Sequence, residues 1–249
     1  MTTDSDTRRP APPPYATVVF DCDSTLSSIE GIEDLAGDRA ARIKELTDRA
    51  MDGEIHLEEV YGLRLELLEP TRADLARVGQ RYIETALPHA AELVSALKAL
   101  GKRVCIVSGG LLPAVRELAA AIGVAGDDVF AVDVFHDVEG AYTGFEEDSP
   151  LARSGGKLEL LSILAEQGGP VLLVGDGATD LEALPALGRF VAFGGVERRE
   201  KVFEGADVTC DRPDLAALLP LICDDLEVGR LAEDPAHRPL VEAALAHYR

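Results

Sequence analysis

A short β-branched run, Val18-Val19-Phe20, stops abruptly at Asp21-Cys22-Asp23-Ser24-Thr25. Such a run reads as a buried strand, and the change to acids and hydroxyls marks its end as a reactive edge. If the backbone stays extended there, Asp21 and Asp23 point to one side and Cys22 to the other, where it packs. Two carboxylates held this close repel one another, so a metal, a shared proton or both must offset the repulsion. Asp-x-Asp is also ordinary turn chemistry, and the remainder of the chain has to decide between the two.

The region after Pro88 decides it, because strand and helix signals alternate there. Ala90–Leu100 carries Leu93, Val94, Leu97 and Leu100 on one helical face, with Gly101 placed to end it. Arg103–Val107 reads as a strand stopping at Ser108-Gly109-Gly110, with a helix over Leu111–Ile122. Val129–Phe145 alternates around Asp137-Val138-Glu139-Gly140, a hairpin signal. Lys157–Ala165 is helical, and Val171–Val174 is a strand running into Gly175-Asp176-Gly177-Ala178-Thr179-Asp180. Phe190–Phe193 and Val208–Cys210 read as shorter strands, with helices near Val196 and Asp214. This order predicts an α/β fold, a Rossmann-like, mainly parallel sheet with helices on both faces. Ligands of such sheets bind beyond the carboxyl ends of the strands, so the three motif-bearing ends converge on one crevice.

Between the first strand and this alternating region, residues 28–85 show helical periodicity over Glu30–Ala50, Ile55–Leu68 and Asp74–Ile83. Thr71 with Asp74 three residues later forms a capping-box signature. The segment is too long for a simple crossover and predicts a helical cap inserted after the first strand. The expected organisation is therefore a disordered tail over 1–14, closing in Pro12-Pro13-Pro14, and a core made of 15–27 and 86–223. The cap is 28–85, and 224–249 is a C-terminal helical extension. In that extension Leu240, Val241, Leu245 and Tyr248 make an amphipathic stripe that either docks on the core or forms a homodimer contact.

Charge limits the partners. With 24 basic and 45 acidic residues, the formal net charge of −21 argues against nucleic acid and anionic membranes. An anionic substrate would need local positive charge from a metal, a few cationic side chains and helix N-termini. Cys22, Cys105, Cys210 and Cys223 form no C-x-x-C pair, and the chain shows neither an apolar signal core nor a run of membrane-spanning length. Together these predict a cytoplasmic protein with reduced thiols.

The residue types then assign chemistry. Ser108 and Gly109, at a strand-to-helix junction, offer a hydroxyl and backbone N–H groups suited to phosphate. Lys157, after Gly155-Gly156, supplies a cation at a helix start, and Asp176 and Asp180 add hard oxygen ligands of the kind Mg²⁺ prefers. Neither a G-x-S-x-G elbow nor a G-x-x-x-x-G-K-[ST] loop is present. A carboxylate can itself attack phosphorus when a metal and a lysine neutralise the phosphoryl oxygens. Asp21 would attack, while Asp23 would protonate the departing alkoxide and then deprotonate the hydrolytic water.

In order and spacing, Asp21-Cys22-Asp23-Ser24-Thr25, Ser108-Gly109-Gly110, Lys157 and Gly175-Asp176-Gly177-Ala178-Thr179-Asp180 resemble the motifs of the haloacid dehalogenase superfamily of phosphotransferases. The similarity runs over roughly 17–222. It implies Asp21 as nucleophile, Asp23 as general acid and base, and Ser108, Gly109, Lys157 and Thr179 against the substrate. Mg²⁺ would be held by Asp21, the Asp23 backbone carbonyl and Asp176, with Asp180 in support. It further implies Glu30 for a substrate ammonium, Met51 for packing and Arg64 for a substrate carboxylate, hence Mg²⁺-dependent release of L-serine and phosphate from O-phospho-L-serine in serine biosynthesis. Without the resemblance, Glu30 and Arg64 are also ordinary residues of exposed helix faces. An amino acid phosphate nevertheless needs one such anion and one such cation. Two departures stand out: His56-Leu57 replaces the usual Pro-Phe of the cap, and Thr179 stands where many relatives have Asn. Two alternatives remain open, the same chemistry on another small phosphomonoester and a catalytically silent regulatory protein on this scaffold.

Overall fold

The computed structural model describes residues 15–51 and 57–248, with the side chains of 44, 47–51, 57 and 58 also outside the description. The expected tail, His56 and the side chains of Met51 and Leu57 therefore lie outside the described residues. The chain runs β1 (Thr17–Phe20), α1 (Gly31–Ala36), α2 (Ala40–Met51), α3 (Leu57–Leu68), α4 (Arg72–Glu84), α5 (Ala90–Ala99), β2 (Arg103–Leu111) and α6 (Leu112–Ile122). It continues through β3 (Val129–Val132), β4 (Val134–His136), β5 (Tyr142–Phe145), α7 (Gly156–Gly168), β6 (Val171–Gly175) and α8 (Ala178–Glu182). The last elements are β7 (Arg189–Phe193), α9 (Glu200–Gly205), β8 (Val208–Cys210), α10 (Leu219–Ile222), α11 (Asp225–Glu233) and α12 (Arg238–Ala246).

Six strands form one sheet in the order β3-β2-β1-β6-β7-β8, every pair parallel, while β4 and β5 make a separate antiparallel hairpin. The central strands are apolar through their middles, Val18–Phe20, Val104–Val107 and Val171–Val174, because both faces are covered. Val18, Phe20, Ile106 and Val174 pack into one layer with α5, α6 and the C-terminal helices, whereas Val19, Val107 and Leu173 pack into the other with α7 and α9. With β1 bonded to β2 on one edge and β6 on the other, the end of β1 lies between the ends of its two neighbours.

Several expectations need correction. The helical signal over Glu30–Ala50 is broken at Gly37, whose φ of +48° ends α1 before α2 begins. Ser108-Gly109-Gly110 does not leave the sheet. The three residues remain in β2, and the register against β3 shifts between Val107 and Leu111, so they bulge toward the crevice. The helix expected near Val196 starts only at Glu200. The Thr71/Asp74 capping box does form, and Gly101 takes φ +80° after α5.

Among the helices between β1 and β2, α2 packs on α3, while α4 lies along α6. In the extension, Leu240, Val241 and Ala244 are buried, α12 packing beside residues 215–218, whereas Leu245 and Tyr248 are half-exposed. A buried tie fastens this region down. Lys102 Nζ donates to the Tyr15 carbonyl at 3.0 Å and pairs with Glu227 of α11 at 2.5 Å. Among the described residues, no helix is long and apolar enough to cross a membrane.

Candidate active site

The ends of β1, β2 and β6 open into a cleft of about 420 Å³, floored by Asp21, Asp23, Gly109, Lys157 and Asp176 and flanked by Glu30, Tyr61 and Arg64. Asp21 is the first residue past β1, held by its N–H to the Val174 carbonyl (2.9 Å). Beyond it the backbone does not stay extended as expected. The N–H groups of Leu26 and Ser27 both donate to the Cys22 carbonyl and Ser24 adopts φ +49°, which makes a tight turn. The two carboxylates consequently line the same cleft while facing different supports.

Asp21 faces Lys157, whose Nζ lies 2.7 Å from Asp21 Oδ2 and 2.7 Å from Asp180 Oδ1. Burial works against the ammonium, but Asp180 and Asp21 outweigh it and hold Lys157 protonated beyond its ordinary range. Asp180 is fully buried, its second oxygen accepting from the Gly177 N–H at 2.9 Å, and burial pushes its carboxyl up to about 7 against the pull of Lys157. The sequence permits this through Gly175, where a Cβ would run into the Asp180 carboxylate.

Asp23 faces α1 and α4. Its Oδ1 accepts from the Gly31 N–H (2.9 Å) and from the Tyr82 hydroxyl (2.5 Å). Burial, and then the Glu30 charge, push the Asp23 carboxyl up to about 7. Glu30 accepts from Ser24 Oγ (2.7 Å) and is itself raised by burial. Arg64 faces the same cleft, its guanidinium lowered by burial against the opposing charges of Glu33 and Glu30.

Of the expected residues, the structure brings Asp21, Asp23, Glu30, Arg64, Gly109, Lys157, Asp176 and Thr179 to one cleft. Ser108 is buried just behind it, accepting from the Gly110 N–H at 3.0 Å, and Asp180 lies beneath Lys157. Met51 ends α2, and its side chain is outside the described residues. Sequence reasoning missed Arg199, which pairs with Asp176, lies 3.7 Å from Glu30 and donates to Glu197 at 2.7 Å. Its signal was the Gly194-Gly195 break after β7, another strand end at the same sheet edge. Thr25, which donates to Asp176 Oδ1 at 3.0 Å, Tyr61, which donates to the Gly109 carbonyl at 2.9 Å, and Tyr82 were also missed.

The donor set fits a hard divalent cation. Asp21, Asp176 and Asp180 each bring a carboxylate oxygen within 4.8 Å of the others, and all three are buried. Fold and site together define a Rossmann-like α/β protein with buried carboxylates gathered at the central strand ends. The profile of haloacid dehalogenase-like hydrolases matches residues 15–188, and the chain belongs to that family. Over 194 residues it is 37% identical to the phosphoserine phosphatase of Rattus norvegicus, covering 76% of this chain and 86% of the rat protein. The phosphoserine phosphatase of Homo sapiens is 36% identical over the same shares. A solved structure, the phospho-aspartyl intermediate analogue of a phosphoserine phosphatase, superposes with a TM-score of 0.69 at 28% identity, covering 85% of this chain and 100% of that one.

Proposed function

We propose that this chain is a Mg²⁺-dependent phosphomonoesterase that hydrolyses O-phospho-L-serine to L-serine and phosphate, a cytoplasmic step of serine biosynthesis. The observation that carries the reading is one cleft holding Asp21, Lys157 and Asp176 together with Glu30 and Arg64. The first group suits a phosphoryl dianion, and the second offers an anion for an ammonium and a fork for a carboxylate. The identity to curated phosphoserine phosphatases supports the same substrate, and four buried free cysteines are in keeping with a reducing compartment.

An Asp21 carboxylate oxygen attacks phosphorus and the P–O bond to serine breaks, leaving an aspartyl-phosphate. Asp23 delivers its proton to the departing serine alkoxide, which suits a carboxyl whose affinity for protons is raised to about 7. Asp23 then accepts a proton from the water that attacks phosphorus, releasing phosphate and restoring Asp21. Lys157, already against Asp21, neutralises charge on the phosphoryl oxygens. Gly109 would border the phosphate with Ser108 buried just behind it, and Thr179 lines the same cleft. Mg²⁺ would be held by Asp21, Asp176 and the Asp23 carbonyl with Asp180 behind them, and when bound it adds positive charge where phosphoryl charge accumulates. The insert 28–85 acts as the cap that carries the amino acid contacts.

The test is phosphate release across a panel of small phosphomonoesters with Mg²⁺. O-phospho-L-serine should be preferred, and Asp21→Asn should abolish turnover. Arg64→Ala should raise KM for phosphoserine sharply while sparing p-nitrophenyl phosphate, and equal effects on both would reject the assigned substrate.

A further inference from the structure

The proposed reaction uses Asp23 twice, yet it leaves unexplained why a tyrosine from the insert reaches down to that carboxyl. Tyr82 lies on α4, is fully buried, and donates to Asp23 Oδ1 at 2.5 Å. The Gly31 N–H donates to the same oxygen at 2.9 Å. The path of the phenol depends on a missing side chain, because a Cβ at position 31 would collide with the Tyr82 hydroxyl. Both donors thus fall on Oδ1. The other oxygen, Oδ2, lies on the β2 side, where a Cβ placed on Gly110 would come within 3.3 Å of it.

We propose that Tyr82 is a positioning residue for the proposed reaction, turning the Asp23 carboxyl so that Oδ1 is committed to the insert and Oδ2 is presented to the scissile oxygen. A carboxyl with two free oxygens can rotate about its Cβ–Cγ bond and offer its proton away from the leaving group. With Oδ1 pinned by two donors from different segments, that rotation breaks two hydrogen bonds at once. Proton delivery depends on this geometry before anything else. The inference rests on the phosphatase reading and deepens it: Tyr82 matters for leaving groups that require a proton and little for those that do not.

The experiment compares Tyr82→Phe with the unmodified enzyme, full chain with Mg²⁺, on O-phospho-L-serine and on p-nitrophenyl phosphate, whose phenolate leaves unaided. The variant should lose about 10- to 100-fold in kcat for phosphoserine, with KM changed less than about threefold. The pre-steady-state burst of p-nitrophenolate should stay within about twofold of the parent, since that step needs no acid. Gly31→Ala, which displaces the phenol by a different route, should reproduce the split. Unchanged kcat on phosphoserine in Tyr82→Phe would overturn the inference, and so would equal loss in kcat and burst, which marks a structural role only. If the unmodified enzyme fails to release phosphate from phosphoserine, the phosphatase reading itself fails, a result distinguishable from both.

Discussion

Replacing Lys157 by methionine tests whether buried charge, and not only catalysis, depends on this one ammonium. Its side chain is 6% exposed and bridges Asp21 Oδ2 and Asp180 Oδ1 at 2.7 Å each. Removing one partner of a buried ion pair costs about 3–5 kcal/mol, because the remaining charge stays buried and unmatched. Two carboxylates lose their partner here, but each keeps one backbone donor, Cys22 N–H for Asp21 and Gly177 N–H for Asp180, so the loss should stay within that range. In a domain of this size each kcal/mol shifts Tm by about 2–4 °C, which puts the fall at about 6–20 °C in chelator. Added Mg²⁺ should recover part of it, since a cation bound by Asp21 and Asp176 screens the same acids. Adding Asp180→Asn should restore at least half of the lost stability while phosphate release stays absent. Thermal unfolding followed by circular dichroism reads the first, and malachite green the second. A Tm within about 2 °C of the parent in chelator would refute the argument that burial sets these energies.

The same geometry carries three more expected outcomes. In metal-free protein the folded Asp23 carboxyl, at about 7, holds a proton that an unfolded one, near about 4, has lost. Stability should therefore fall as pH rises between those values, and Asp23→Asn should flatten that slope in urea titrations; an unaltered slope rejects the assignment. Lys102→Met leaves Glu227 buried without its ammonium and should cost about 3–5 kcal/mol by urea unfolding, largely recovered by adding Glu227→Gln. Glu30→Gln should raise KM for phosphoserine at least tenfold, about 1.4 kcal/mol, with p-nitrophenyl phosphate nearly unaffected.

The central strands were legible because their burial on both faces writes itself as unbroken apolar runs such as Val18-Val19-Phe20 and Val171–Val174, and parallel pairing then brings their carboxyl ends together. The acids at those ends were equally readable, since Asp21, Asp176 and Asp180 sit within a few residues of a strand terminus. What sequence spacing could not show was direction. Asp23 shares a cleft with Asp21 yet looks the other way, because the turn after Cys22 depends on the Cys22 carbonyl accepting from Leu26 and Ser27. Tyr82 was hidden because a buried aromatic at helical spacing looks like core, and its hydroxyl found a partner 59 residues distant in sequence. Arg199 was hidden by its neighbours: an arginine beside Glu197, Arg198 and Glu200 has the look of a solvated surface.

The Lys102 tie has a consequence for how the polypeptide matures. Its ammonium touches the Tyr15 carbonyl, two residues before the first strand, and the Glu227 carboxylate of α11, so three stretches distant in sequence must meet before its contacts are complete. On the ribosome, the Rossmann-like portion emerges while that carboxylate is still unsynthesised, and a nascent domain closing early would bury a naked cation. Final consolidation should thus wait for the last helices to leave the exit tunnel.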